Sequence, residues 1–291
     1  MTRIVVGGDG SVGGAGALRW AHRLARARRA RLEVLHAWEY PAAAALPGGP
    51  VPAADADVMD ERVRAATRAW VDEVLGPDGP AVGVRVARGP SGSALAERGA
   101  APDTEMLVVG TRGLGDVSRV ILGSTSRRAL ELAAVPVVIV PEGAPPPESR
   151  HPIVVGVDGS VASERAVELA TTLARSIGCA VIAAHAAELT HPELHPDPVG
   201  RANGAPGIPV EDWLAPLRLA DVAHRAVVAD GDPRVVLPMV AEAEDAWAVV
   251  VGRRGVGPLT RVLVGSVTNH LAAHIDRALV VVPPPAEPEL G

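Results

Sequence analysis

The segment IVVGGDGS at Ile4–Ser11 returns as IVVGVDGS at Ile153–Ser160, an offset of 149 positions that also carries His36 onto His185. From Gly89 onward the offset is 142, which maps Gly89 onto Gly231 and Pro141 onto Pro283, so the second copy lacks seven residues in its middle. A period of about 140 residues is too long for a solenoid unit and fits one compact domain. The chain is therefore expected to hold two similar domains, 1–141 and 153–283. The Pro-rich stretch 142–152 would link them, and 284–291 would be a flexible tail.

Each copy alternates short apolar runs with helical periodicity. In the first, IVVG is followed by Leu18, Ala21 and Ala25 at helical spacing and then by a second run, RLEVLHAW. The second copy repeats this independently, with Val167, Ala170, Ala174 and Ile177 on the helix face and CAVIAAHA as the next strand. A Pro/Ala/Gly-rich loop (Tyr40–Ala54), an amphipathic stretch (Val58–Leu75), strand GVRVARG, a helix around Ser93–Arg98, strand MLVVG, a further helix and strand VPVVIVP complete the first copy. In the second, a Pro-rich loop (Glu188–Pro209) precedes a helix near Val210–Leu219 that is expected to be shortened and broken by Pro216. Strands alternating with helices predict an α/β fold, a parallel sheet with helices on both faces.

One motif appears twice: Gly110-x2-Gly113-x9-Gly123-Ser124 and Gly252-x2-Gly255-x9-Gly265-Ser266, each after an apolar strand and each running into a helix. In open α/β sheets, ligands bind outside the carboxyl ends of strands where the strand order reverses. In a 3-2-1-4-5 order, strand one, ending near Asp9 or Asp158, and strand four, closed by Gly110 or Gly252, are neighbours at that point. Gly110 and Gly113 would permit a tight turn and close backbone approach, and Gly123-Ser124 would open a helix whose free N–H groups face an anion. Ser124, Thr125 and Ser126 add hydroxyls, matched by Ser266 and Thr268, with Val267 where the first copy has Thr125. Asp9 and Asp158 would repel phosphate, so they suit ribose hydroxyls, a bridging metal, or the capping of the helix that follows. Arg112, Arg253 and Arg254, inside the x2 gaps, could reach phosphate or stay solvated.

At these residues the chain resembles the universal stress proteins of the tandem, ATP-binding kind. The likeness rests on the glycine motif, the early strand ending in Asp, and the second strand carrying His and a small residue (His36-Ala37, His185-Ala186), and it covers Ile4–Pro141 and Ile153–Pro283. It implies two tandem Rossmann-like domains, each a five-stranded parallel sheet of order 3-2-1-4-5, with ATP at each motif and Mg2+ as an optional companion. It also implies pairing of similar domains through the last strand, as a homodimer or a pseudo-dimer within one chain. By resemblance, Asp9 and Asp158 lie at the adenosine, flanked by Gly7, Gly10, Gly156 and Gly159, and Ala37 and Ala186 meet the adenine through backbone. Ribose and phosphates would fall to Val109, Gly110, Arg112, Gly113, Gly123, Ser124 and Thr125 in the first copy. Their counterparts are Val251, Gly252, Arg254, Gly255, Gly265, Ser266 and Val267. The role so implied is regulatory, in a stress or dormancy response, with a protein partner the sequence does not identify.

Composition narrows the alternatives. The net charge of -6 gives no general attraction to nucleic acid or anionic membrane. Lysine is absent, which removes the Walker A lysine and Schiff-base chemistry. The single cysteine, Cys179, allows no disulfide framework and is expected to be buried. No export signal or membrane span is visible, so a soluble cytoplasmic protein is expected. Gly8-x-Gly10-x-x-Gly13 matches the dinucleotide fingerprint, but the second copy lacks it, and hydride transfer fits poorly. His191/His195 and His270/His274 have metal-like spacing in one copy only and suit solvated or capping roles better than zinc. Nothing supplies a matched acid/base pair, so binding is favoured over turnover. A slow ATPase or adenylyl-transfer enzyme, and a scaffold indifferent to nucleotide, are the competing functions.

Overall fold

The protein is described by a computed structural model covering residues 1–39, 53–111, 122–187, 210–254 and 264–285. The chain divides into two compact units, Met1–Glu142 and Gly143–Gly291. In the first, β1 (Arg3–Gly7), α1 (Val12–Arg28), β2 (Arg31–Trp38), α2 (Ala53–Leu75), β3 (Gly83–Arg88), α3 (Ser91–Gly99), β4 (Thr104–Gly110), α4 (Ser124–Leu132) and β5 (Val137–Val140) follow one another. A 3-10 helix, Gly76–Ala81, that the sequence pattern does not announce joins α2 to β3. The second unit runs β6 (Ile153–Gly156), α5 (Val161–Ile177), β7 (Val181–Ala187), α6 (Val210–Trp213), α7 (Ala215–Leu219), β8 (His224–Asp230), α8 (Pro233–Ala243), β9 (Ala248–Gly252), α9 (Ser266–His274) and β10 (Ala278–Val282).

All pairings within each unit are parallel. β1 lies between β2 and β4, with β3 beyond β2 and β5 beyond β4; β6 lies between β7 and β9 in the same way, with β8 and β10 outside them. Ile4, Val5 and Val6 are fully buried, as are Met106, Leu107 and Val108, so consecutive residues on both faces of these strands are covered by helices. Leu18, Ala21 and Ala25 of α1 and Val167, Ala170 and Ala174 of α5 supply one cover, as their spacing predicts. Cys179 is buried, and burial pushes its thiol pKa up.

The two copies differ where residues were lost. α2 is one long helix, whereas its counterpart is the one-turn α6 and the short α7, with Pro216 in the first turn of α7 and Leu214 at the break. Val210, Leu214 and Leu217 are fully buried and anchor the shortened pair. An ion network is built around the buried Arg98 of the first unit: Arg98 donates to Glu33 at 2.6 Å, Asp103 at 3.1 Å and Thr104 at 2.8 Å, and Arg3 reaches Asp103 at 2.8 Å. The aligned positions Pro152, Ile182 and Val240 cannot reproduce it.

Candidate functional site

The carboxyl ends of the two central strands meet in each unit. Val6 is in register with Val108 and Val155 with Val250, and a Cβ built on Gly7 or Gly156 would touch the side chain of Val109 or Val251 at 3.6 or 3.3 Å. The turns after β1 and β6 are built alike. Gly8 N donates to Leu35 O and Val157 N to Ala184 O, which ties each turn to the neighbouring strand. The helix caps are Ser11 and Ser160, whose hydroxyls accept from Gly14 N and Ser163 N at 3.0 and 3.1 Å. Asp9 and Asp158 instead brace the caps, each accepting the backbone N–H of that serine at 3.0 Å. Each carboxylate thus spends one oxygen on the turn. Gly10 and Gly159 have φ of +77° and +76°, the left-handed conformation that lets the chain reverse there.

Ala37 and Ala186 lie near the ends of β2 and β7, half-buried, in register with Ala87 and Ala229. The histidines before them are fixed in one tautomer. His36 Nδ1 is 2.8 Å from Thr67 Oγ1, and that hydroxyl already donates to Val63 O, so the ring must donate to Thr67. His185 Nδ1 faces Val157 O at 2.7 Å, and a carbonyl only accepts. Burial lowers the His36 pKa, against a weaker opposing pull from Asp9. Both histidines are half-buried with a satisfied Nδ1.

Each motif helix is tied to the carboxyl end of the strand that pairs with β1 or β6. Gly123 and Gly265 are the N-caps of α4 and α9, and neither helix has a side-chain cap. Ser124 and Ser266 are exposed, and Thr125 and Val267 are half-buried. Ser126 and Thr268 correct the sequence expectation. Their hydroxyls do not face outward but are buried and donate to Gly110 O and Gly252 O at 2.8 and 3.0 Å. Each ties the start of its motif helix to the end of its motif strand. Gly123 and Gly265 open their helices as expected, while Gly110 and Gly252 close their strands without a positive φ. Gly252 is small because α5 is close, a Cβ there lying 2.6 Å from Ala162 Cβ. Arg112, Gly113 and Gly255 lie outside the described residues, as do His191 and His195.

In the second unit, Arg254 Cα would sit 3.5 Å from a Cβ on the cap Gly265, and Gly265 N donates to Arg253 O. The Arg254 Nε is buried with no hydrogen-bond partner among the described residues. Burial and the neighbouring Arg254 both lower the Arg253 pKa. A guanidinium pair beside an uncapped helix start is an electropositive corner suited to an anion. His270 and His274 stack at 4.2 Å, but no group of three or more potential metal ligands occurs among the described residues. No described helix is long and apolar enough to cross a membrane.

Two aromatic side chains were not singled out from sequence. Trp70 of α2 packs under Gly8 and Gly14, while Trp213 of α6 packs on Gly159 and meets His185 edge-on at 5.4 Å. They fall at nearly equivalent places in the two copies, but the deletion in the second hides the match.

Two doubly wound α/β units, each with an Asp-Gly-Ser turn and an uncapped motif helix, define a tandem α/β protein. The model of the universal stress protein family matches residues 1–141 and 149–283, and the chain belongs to that family. It is 32% identical to a universal stress protein of Mycolicibacterium smegmatis, over 97% of both chains. It is 30% identical to one of Mycobacterium tuberculosis, over 96% of this chain and 95% of that one. Among solved structures, a universal stress protein from Archaeoglobus fulgidus has the same fold, with a TM-score of 0.73, 15% identity, and 97% of this chain and 98% of that chain covered.

Proposed function

We propose that each unit binds one ATP in the corner between its Asp-Gly-Ser turn and its motif helix, and that the protein acts as a nucleotide-responsive regulator in a stress or dormancy response. The observation that carries this reading is the repetition of the whole corner. In both units an aspartate braces a capped turn, the adjacent motif helix starts without a side-chain cap, and a buried hydroxyl locks that helix to the strand carrying the first motif glycine. Two copies that have diverged in their middle segments keep this corner together.

In this reading the turns carrying Asp9 and Asp158, with Gly7, Gly10, Gly156 and Gly159, face the nucleoside, and the second carboxylate oxygen accepts from ribose. The backbone at Ala37 and Ala186 meets the base. Val109, Gly110, Gly123, Ser124 and Thr125, and in the second unit Val251, Gly252, Gly265, Ser266 and Val267, surround ribose and phosphates, with Arg254 reaching the phosphate. Arg112, Gly113 and Gly255 complete the motifs. Mg2+ fits only as a companion of the phosphates, because it is held by one or two carboxylates and a triphosphate rather than by a protein cage. Binding at about one thousand times Kd would stabilise a unit by about 4 kcal/mol, enough to decide which state of a small domain is populated. Pairing of like units, within the chain or between copies, belongs to the same proposal, as does a protein partner that reads the nucleotide state.

The test is the nucleotide content of gently purified protein, released by heat and resolved by anion-exchange chromatography, together with ATP titration of stripped protein. Retained or rebound ATP supports the proposal. Protein that carries none and takes up none would favour a scaffold indifferent to nucleotide.

A further inference from the structure

The two corners differ at the glycine before the cap serine. A Cβ built on Gly10 would meet no described atom within 4 Å, whereas one built on the equivalent Gly159 would lie 2.8 Å from Cζ2 and 3.1 Å from Cε2 of Trp213. The indole rests on the turn that carries Asp158, with its second contact on the ring of His185, itself pinned to Val157 O. No space separates indole and turn, so a flat base cannot enter between them while Trp213 stays in place. In the first unit the tryptophan lies against Gly8 and Gly14 instead, held in a long helix that Arg68 ties to Gly79 O at 2.9 Å. Trp213 stands on a single helical turn, which makes its displacement local.

We infer that Trp213 is a built-in occupant of the nucleoside end of the second site, which nucleotide must displace, so that the two sites of one chain bind with unequal affinity. This rests on the nucleotide reading of the corners. Displacing the indole gives up both this edge-to-face contact and the apolar area it covers. The open form of the second site is then on the order of a tenth of the population or less, and apparent affinity falls by that fraction. Among the described residues nothing covers Gly10, so the first site carries no such penalty.

The experiment is calorimetric titration of the full chain with ATP, comparing wild type with Trp213→Ala, alongside NMR of the His185 ring protons. Wild type is expected to show two classes of site at least about tenfold apart. Trp213→Ala should tighten the weaker class about tenfold and leave the tighter one unchanged. A weaker class that is unmoved or weakened further by the substitution overturns the occupant while leaving nucleotide binding standing. Absence of ATP binding to both proteins removes the nucleotide reading and the inference together. Should Trp213→Ala fail to fold, the wild type still decides: the His185 ring protons must lose their tryptophan ring-current shift as the weaker class fills, and an unchanged shift at saturation refutes displacement.

Discussion

Replacing Thr268 by Val keeps the shape of the side chain and removes only its hydroxyl. Thr268 is 2% exposed and donates to Gly252 O at 3.0 Å, so the packing contribution nearly cancels and the hydrogen bond is what the substitution measures. A lost bond that leaves one buried partner unsatisfied costs about 1–3 kcal/mol. For a domain the size of segment 149–283, each kcal/mol corresponds to about 4 °C in Tm, so the second unit should melt about 4–12 °C lower. Scanning calorimetry of the full chain reads this directly, because only the transition of the second unit should move. Ser126→Ala should do the same to the first unit through Gly110 O. A Thr268→Val protein that melts within 1 °C of wild type would refute the claim that this hydroxyl locks motif helix to motif strand.

Other perturbations separate the roles assigned above. Gly252→Ala drives a Cβ to 2.6 Å from Ala162 Cβ and should destabilise by about 1–3 kcal/mol. Gly123→Ala, with its nearest neighbour at 3.5 Å and φ of -57°, should stay within about 1 kcal/mol of wild type in urea titrations; a reversed order would show the glycines misassigned. Arg29 ends α1 at φ 53°, where the second copy has Gly178, so Arg29→Gly should stabilise the first unit by about 1 kcal/mol, and a lower Tm would contradict this. Burial holds the folded His36 pKa below its ordinary value of 6.5, so the unfolded chain binds the proton more readily. The contribution of His36 to stability is therefore present above pH 6.5 and is lost as pH falls toward the folded pKa. Urea midpoints of the first unit at pH 8 and pH 5.5 should differ more in wild type than in His36→Asn, and equal differences would exclude the histidine as the cause.

Much of the fold is legible in the sequence because each copy checks the other. Buried runs such as IVVG and MLVVG read as strands twice, and the alternation with amphipathic helices leaves a parallel sheet as the solution. The expected break near Pro216 falls at Leu214, since proline is tolerated in the first turn of α7 and the helix ends before it. Side-chain direction was not legible. Ser124, Thr125 and Ser126 look alike in sequence, yet helix geometry points only Ser126 back at Gly110 O, and Thr268 follows at the same position of α9. A tight turn and a close approach leave the same letter in sequence, and at Gly252 the structure shows the close approach. Asp9 and Ser11 were similarly confounded, because either can cap a helix and only the coordinates show Ser11 capping while Asp9 braces it. Trp213 escaped notice because a contact between α6 and the β6–α5 turn spans the segment where the copies no longer align.

The central claim, one ATP in each repeated corner, is tested most directly by equilibrium dialysis of the stripped full chain against radiolabelled ATP, carried to saturation. Two ATP per chain is the expected plateau, with the second site filling at higher concentration than the first. A plateau at zero or at one would contradict the claim that both corners are nucleotide sites.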